Sequence, residues 1–307
     1  MPCPTPDDGS MTDSAHEGGN FRRLAPGRRT VVRIASLDSP TPRKLFETDE
    51  MLLEAPNWTR DGSALLLNGS GALWRLDVER PDGVERVPLP GVPDINNDHV
   101  LSPEGEIVYV TAKDGHIYAA PVTGGTGTRL TEEDGWRHYL HGVSPDGETL
   151  VCVLLPSSGD GEAGELAVLP AAGGPVRRFE TGPGHLDGPE YTPDGKWIVF
   201  NDDSFGDETG HAQLARVPAE GGTPRQLVSS TTVDWFPHVS PDGRHANYLS
   251  YPAGTRGHPP DTEVAIHVVA TGDWRTPIRT FPLFGGQGTS NVGNWAPDST
   301  RFAFVSY

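Results

Sequence analysis

Short apolar runs at a steady spacing organise this chain. Ala64–Leu67, Ile107–Val110, Thr149–Val153, Trp197–Phe200, Ala246–Leu249 and Phe302–Val305 are dense in Val, Ile, Leu and aromatic residues. Runs this short match buried strands rather than helices. Each follows the same polar punctuation: Thr59-Arg60-Asp61-Gly62, Ser102-Pro103-Glu104-Gly105, Ser144-Pro145-Asp146-Gly147, Thr192-Pro193-Asp194-Gly195, Ser240-Pro241-Asp242-Gly243 and Ala296-Pro297-Asp298-Ser299. Proline presets φ for a turn, aspartate bonds the turn backbone, and glycine accepts a positive φ. The punctuation therefore predicts a tight hairpin between two strands.

A further strand pair follows each hairpin. Gln213–Val217, the Gly221-Gly222 turn and Pro224–Val228 show it, as do Ile117–Ala120, Gly124-Gly125 and Thr128–Leu130. The third residue of the punctuation falls at 61, 104, 146, 194, 242 and 298, so the unit repeats every 42–56 residues. Four strands at that spacing are the blade of a β-propeller. The last unit stops at Tyr307 after two strands, while Thr30–Ser36 and Arg43–Phe46 read as a third and fourth strand. The expectation is an all-β, six-bladed β-propeller with four antiparallel strands per blade. Its last blade is closed by N- and C-terminal strands, which leaves few exposed edges. Residues 29–307 form one domain in this reading, and residues 1–28 a flexible N-terminal tail.

Composition narrows the partners. The 38 glycines and 30 prolines, with 35% hydrophobic residues, suit many short strands joined by polar turns. A formal charge of −18 argues against nucleic acid and anionic membranes, which need clustered Lys and Arg. No apolar stretch is long enough for a transmembrane helix. Residues 1–20 are polar and acidic with no apolar segment of a secretory signal, so a cytoplasmic, monomeric protein is expected. Cys3 and Cys152 do not make a disulfide framework.

The Ser-Pro-Asp-Gly hairpins and Gly-Gly turns resemble the repeat of the TolB-like six-bladed β-propeller family over residues 30–307. The resemblance implies a propeller. It leaves several functions open, because translocation scaffolds, peptidase propellers and polysaccharide lyases share the repeat. The chain has no Gly-x-Ser-x-Gly sequence and no hydrolase domain, which removes the peptidase reading.

Candidate chemistry lies where each innermost strand approaches the central channel, just before its hairpin. Five of the eleven histidines (His99, His138, His141, His185 and His238) fall in these windows. Carboxylates and amides from other blades accompany them. His138, Tyr139, His185, Asp187 and Glu190 are the candidate catalytic groups, as acids or bases. Asn57, Asn97, Arg137, Trp235, Gln287, Asn291 and Asn294 are candidate ligand contacts, Trp235 as a stacking platform for a sugar ring. His99, His141 and His238, helped by Glu190, are candidate ligands for a divalent metal: manganese, calcium or zinc. The repeat class includes oligogalacturonate lyases, which hold a divalent metal at the channel mouth on His and Gln ligands. By that resemblance His141, His238 and Gln287 stand at matching blade positions, although Asn291 and Asn294 replace the further histidines. The glycine-rich run Phe284–Asn294 either lets backbone approach a ligand or shapes a long turn. Trp58 and Trp295 occupy equivalent positions and read as core.

Two functions follow. The leading one is a carbohydrate-active lyase or hydrolase, metal-assisted or using Asp187 and Glu190 as a carboxylate pair, on an oligosaccharide or other small ligand. The alternative is a non-catalytic TolB-like scaffold that binds a protein or peptide partner.

Overall fold

The computed structural model describes residues 21–158, 163–206 and 208–307. Six antiparallel sheets surround one axis. Blades one to five each have four strands, and their inner strands are Glu54–Trp58, Ile95–Leu101, Trp136–Val143, Leu186–Tyr191 and Val233–Val239. Blade six joins the two ends of the chain: Arg301–Ser306 pairs with Thr30–Ser36, which pairs with Arg43–Thr48. Its innermost position is held by an irregular segment, attached through the Trp295–Phe302 bridge and the bond from Ala303 N to Asn294 O at 2.9 Å. The ring is closed by both termini, as the repeat predicts.

The hairpins work as their residue types dictate. Gly62, Gly105, Gly147, Gly195 and Gly243 all adopt φ between 68° and 78°, and Ser299 takes the same conformation at 60° without a glycine. The hydroxyls of Thr59, Thr192 and Ser240 each donate to the turn aspartate at 2.7 Å. Asp61 accepts the backbone N–H of Ser63 and the hydroxyls of Thr59 and Ser63, which hold its carboxyl down at about 2.

The second strand of each blade is sandwiched between neighbouring sheets. Ala64–Gly69 is buried at every residue. Strands covered on both faces read as continuous apolar runs, which is why they stand out in the sequence. Trp58 and Trp295 lie in the inter-blade core as expected. Cys152 is fully buried there, and burial pushes its thiol up to about 12. Cys3 lies outside the described residues.

A feature invisible to period-two counting recurs on every regular inner strand. The pairing register shifts between Glu54 and Asn57, Ile95 and His99, Leu140 and Gly142, Asp187 and Glu190, and Trp235 and His238. These are β-bulges, which re-aim side chains and are common beside functional sites. Ala55, Gly188 and Phe236 sit at one repeat position with φ of 53°, 60° and 54°. A left-handed backbone at a buried non-glycine costs ~1–3 kcal/mol. It is held here by bonds from Ala55 N to Gly288 O at 2.7 Å and from Phe236 N to Asn201 Oδ1 at 3.0 Å.

Residues 21–28 depart from the expected tail. Arg22 forms ion pairs with Glu54 at 2.8 Å and Asp261 at 2.7 Å, and Leu24 packs against the core between blades six and one. Side-chain contacts thus dock a segment that carries no strand pattern.

Candidate functional site

The glycine-rich run preceding Trp295 is a plug along the axis. Thr289, Ser290, Asn291, Val292 and Asn294 are all buried. Val292 shares one buried cluster with Ala55, Val100 and Leu140, which belong to the inner strands of blades one, two and three. The plug's carbonyls accept from donors all round the ring. Asn57 Nδ2 donates to Gly293 O, His141 Nδ1 lies 3.3 Å from Asn291 O, and His238 Nε2 lies 3.0 Å from Ser290 O. Glycine is needed for this close approach: a Cβ on Gly288 would lie 2.2 Å from Glu54 Oε1. Of the two expectations for this run, close backbone approach is the relevant one, but the backbone meets the protein's own side chains.

Two histidine–carboxylate pairs flank the plug. His141 Nε2 meets Asp187 Oδ1 at 2.9 Å, with 4% and 14% of the two side chains exposed. Asp187 Oδ1 also accepts Gly188 N at 2.8 Å, and its Oδ2 faces His258 Nε2 at 3.4 Å. Burial alone would lower the His141 pKa, but Asp98 and Asp187 outweigh it and raise it to about 9. Burial would raise Asp187, yet His141 and His258 hold it well below the ordinary carboxylate value. Asp98, buried and shielded from water, is shifted up. In the second pair, His238 Nδ1 meets Glu190 Oε2 at 2.8 Å, and Glu190 Oε1 accepts Val239 N at 3.0 Å.

Above the plug, a cavity of about 160 Å³ opens at the mouth between blades one and two. Phe21, Arg22, Glu54, Asn68, Asn97, Lys113 and Gln287 are among its walls. Asn68, only 5% exposed, has an Oδ1 without a hydrogen-bond partner among the described residues.

The predicted residues separate into three groups. Asp187, Glu190, His141, His238, Asn57, Asn291 and Asn294 come together around the plug. Asn294 is fully buried and bonds Asn247 and Ser290, so it and Asn291 support the plug instead of facing solvent. Asn97 and Gln287 line the mouth cavity. The others have different partners. His138 stacks on His116 at 6.2 Å between ring centroids, bonds Gly115 O and faces Asp134, and burial lowers its pKa. Tyr139 accepts from Arg137 Nε at 3.1 Å, and Arg137 also donates to Lys113 O at 3.0 Å. His185 Nδ1 accepts Gly164 N at 3.0 Å. Trp235 is 1% exposed and sits beneath His258, with ring centroids 4.5 Å apart, so it offers no stacking face to a sugar.

The donor set does not fit a metal. A metal-binding imidazole needs a free lone pair, but both ring nitrogens of His141 and of His238 face oxygen acceptors. His99 points instead at Leu66 O, 3.4 Å away, where burial lowers its pKa to about 4. Among the described residues no group of three or more His, Cys, Asp or Glu side chains is placed to hold an ion. The bulges explain the mismatch, since each turns its histidine toward a different neighbour.

Sequence reasoning missed Arg22, Lys113, His258 and Asp261. None lies on an inner strand, so no repeat position marks them. His258 comes from the connection after His245–Tyr251 in blade five and Asp261 from the start of the next strand, Pro260–Ala270, and only the folded ring brings them to the mouth.

Comparison with known proteins settles the family. An uncharacterized protein of Agrobacterium fabrum is 36% identical over 283 residues, covering 91% of this chain and 92% of its own. A solved structure from Agrobacterium tumefaciens, provisionally designated TolB, is 34% identical with a TM-score of 0.82, covering 91% of this chain and 98% of its own. The chain belongs to the TolB-like six-bladed β-propeller family. An oligogalacturonate lyase in complex with manganese shares the fold at 15% identity and a TM-score of 0.54, over 84% of this chain and 70% of its own. No protein-family model matches the sequence.

Proposed function

We propose that this TolB-like propeller is a non-catalytic binding module that receives a peptide segment at its channel mouth. The plug carries the reading. It engages His141, His238 and Asn57 through its own carbonyls, and the two histidines in turn engage Asp187 and Glu190. Cleavage of a glycosidic bond by a carboxylate pair needs one carboxyl to hold a proton near neutral pH. Asp187 is held ionised by His141, and both Glu190 oxygens are engaged, by His238 and by Val239 N, so neither member of this pair is left free to face a substrate. The TolB-like relationship supports a scaffold as well.

One observation favours a second reading, a metal-free carbohydrate enzyme. The His258 side chain is partly exposed and leans on Asp187, and its buried Nδ1 has no partner among the described residues, as an oriented base would before substrate arrives. Selection of displayed peptides on the intact protein, with an oligosaccharide turnover panel beside it, separates the two. Peptides that lose binding in Asn97→Ala support the module. Turnover abolished in both Asp187→Asn and His258→Gln would replace it with the enzyme.

A further inference from the structure

Arg22 is held as a ligand would be. Its Nη1 donates to Glu54 Oε1 at 2.8 Å and to Gln287 O at 2.9 Å, and its Nη2 donates to Asp261 Oδ1 at 2.7 Å. Its guanidinium carbon lies 4.5 Å from the centroid of the Tyr307 ring. These partners come from blade one, the third strand of blade five, the plug and the C-terminal Tyr307. They supply what a planar, forked cation requires: two carboxylates, a carbonyl and an aromatic face. Glu54 is only 8% exposed, so the cradle is built into the protein rather than being a chance surface pairing.

The segment carrying Arg22 is attached by side chains. Among the described residues, the one backbone–backbone hydrogen bond within 21–29 runs from Arg28 N to Ala25 O, inside the segment itself. Arg28 stacks over Phe284 at 4.0 Å and fixes the segment near the first strand of the chain, while Phe21 and Arg22 extend over the mouth cavity. Lifting Phe21 and Arg22 therefore breaks no strand pairing. It also opens the wall of the cavity, where Asn68 Oδ1 and Arg22 Nε have no partner among the described residues. Arg22 fills the cradle without completing it.

We propose that the mouth contains a guanidinium-recognition site, with Arg22 as a tethered occupant that an arginine side chain of a partner peptide displaces. The identity of the partner residue rests on the binding-module reading; the cradle does not. The net charge of −18 favours approach of a cationic segment. An ammonium would make point contacts but would lack the fork that spans Glu54 and Asp261 and the flat face that lies on Tyr307.

The test uses the full-length chain and two probes. Arg22→Ala should lower the melting temperature by about 2–4 °C. Millimolar methylguanidinium should restore most of that loss, methylammonium should not, and the double variant Arg22→Ala/Glu54→Gln should not respond. If Arg22→Ala does not fold, Arg22→Lys, which keeps the charge without the fork, gives the same comparison. A labelled arginine-containing peptide should bind Arg22→Ala at least tenfold tighter than the wild type, and its citrulline counterpart should bind neither. Equal response to methylguanidinium and methylammonium, or none, overturns the cradle whatever peptides do. Methylguanidinium rescue without any peptide binding keeps the cradle and removes the peptide-receiving function.

Discussion

Asp187→Asn is the most informative single change at the site. It removes the charge between His141, 2.9 Å away, and His258, 3.4 Å away. The His141 pKa stands at about 9 against an ordinary 6.5: burial pulls it down, and Asp98 and Asp187 overcome that pull. At ~1.36 kcal/mol for each pH unit, the protonated ring contributes roughly 3 kcal/mol, shared between the two carboxylates. Breaking a buried pair also strands the remaining charge, at up to ~3–5 kcal/mol. A loss of about 2–3 kcal/mol near neutral pH is therefore expected. The sign of its pH dependence follows from the raised pKa of His141. The contribution is fully present below pH 6.5 and is lost as pH rises through about 9. The depressed Asp187 carboxyl acts oppositely, with a contribution lost only as pH falls well below the ordinary carboxylate range. Urea denaturation of wild type and variant from about pH 6 to about pH 10 should show a gap that narrows toward alkaline pH. A gap below ~0.5 kcal/mol at neutral pH, or one that widens as pH rises, would refute the ion-pair account.

Three further outcomes follow from the same geometry. Val292→Ala should cost about 1.5–2 kcal/mol in urea midpoint analysis, because Val292 is fully buried and packs across the axis. Gly288→Ala should destabilise by more than ~1 kcal/mol in thermal unfolding, since Gly288 has φ of 88° and its Cβ would collide with Glu54. Chelator-treated protein given manganese, calcium or zinc should hold its melting temperature within about 1 °C, because no free histidine lone pairs converge; a shift of several degrees that His238→Ala abolishes would restore the metal.

The propeller was legible because its signal is local. Turn chemistry at Asp61, Asp146, Asp194, Asp242 and Asp298 repeats whatever the blades later do with their channel residues. The site was half legible. Windows before the hairpins did contain Asp187, Glu190, His141 and His238, because each window ends on an inner strand that approaches the channel. The roles went astray for a physical reason. A bulge on each inner strand breaks the alternation that decides which neighbour faces the axis, so His138 and Tyr139 could not be told apart from His141 by counting. Nor could sequence show that residues 287–294 would enter the channel and engage histidine ring nitrogens that a metal site would need free. Arg22 and His258 were out of reach because neither belongs to the repeat.

The central claim is that the protein's own chain fills the channel and turns its histidines into donors. Nitrogen NMR of the imidazole rings at about pH 7 tests it most directly. The account predicts that His141 carries protons on both ring nitrogens, one of them bonded to the Asn291 carbonyl, and that stoichiometric manganese leaves the His99, His141 and His238 signals unbroadened. An unprotonated nitrogen on His141 at that pH, or selective broadening of those three rings, would contradict it.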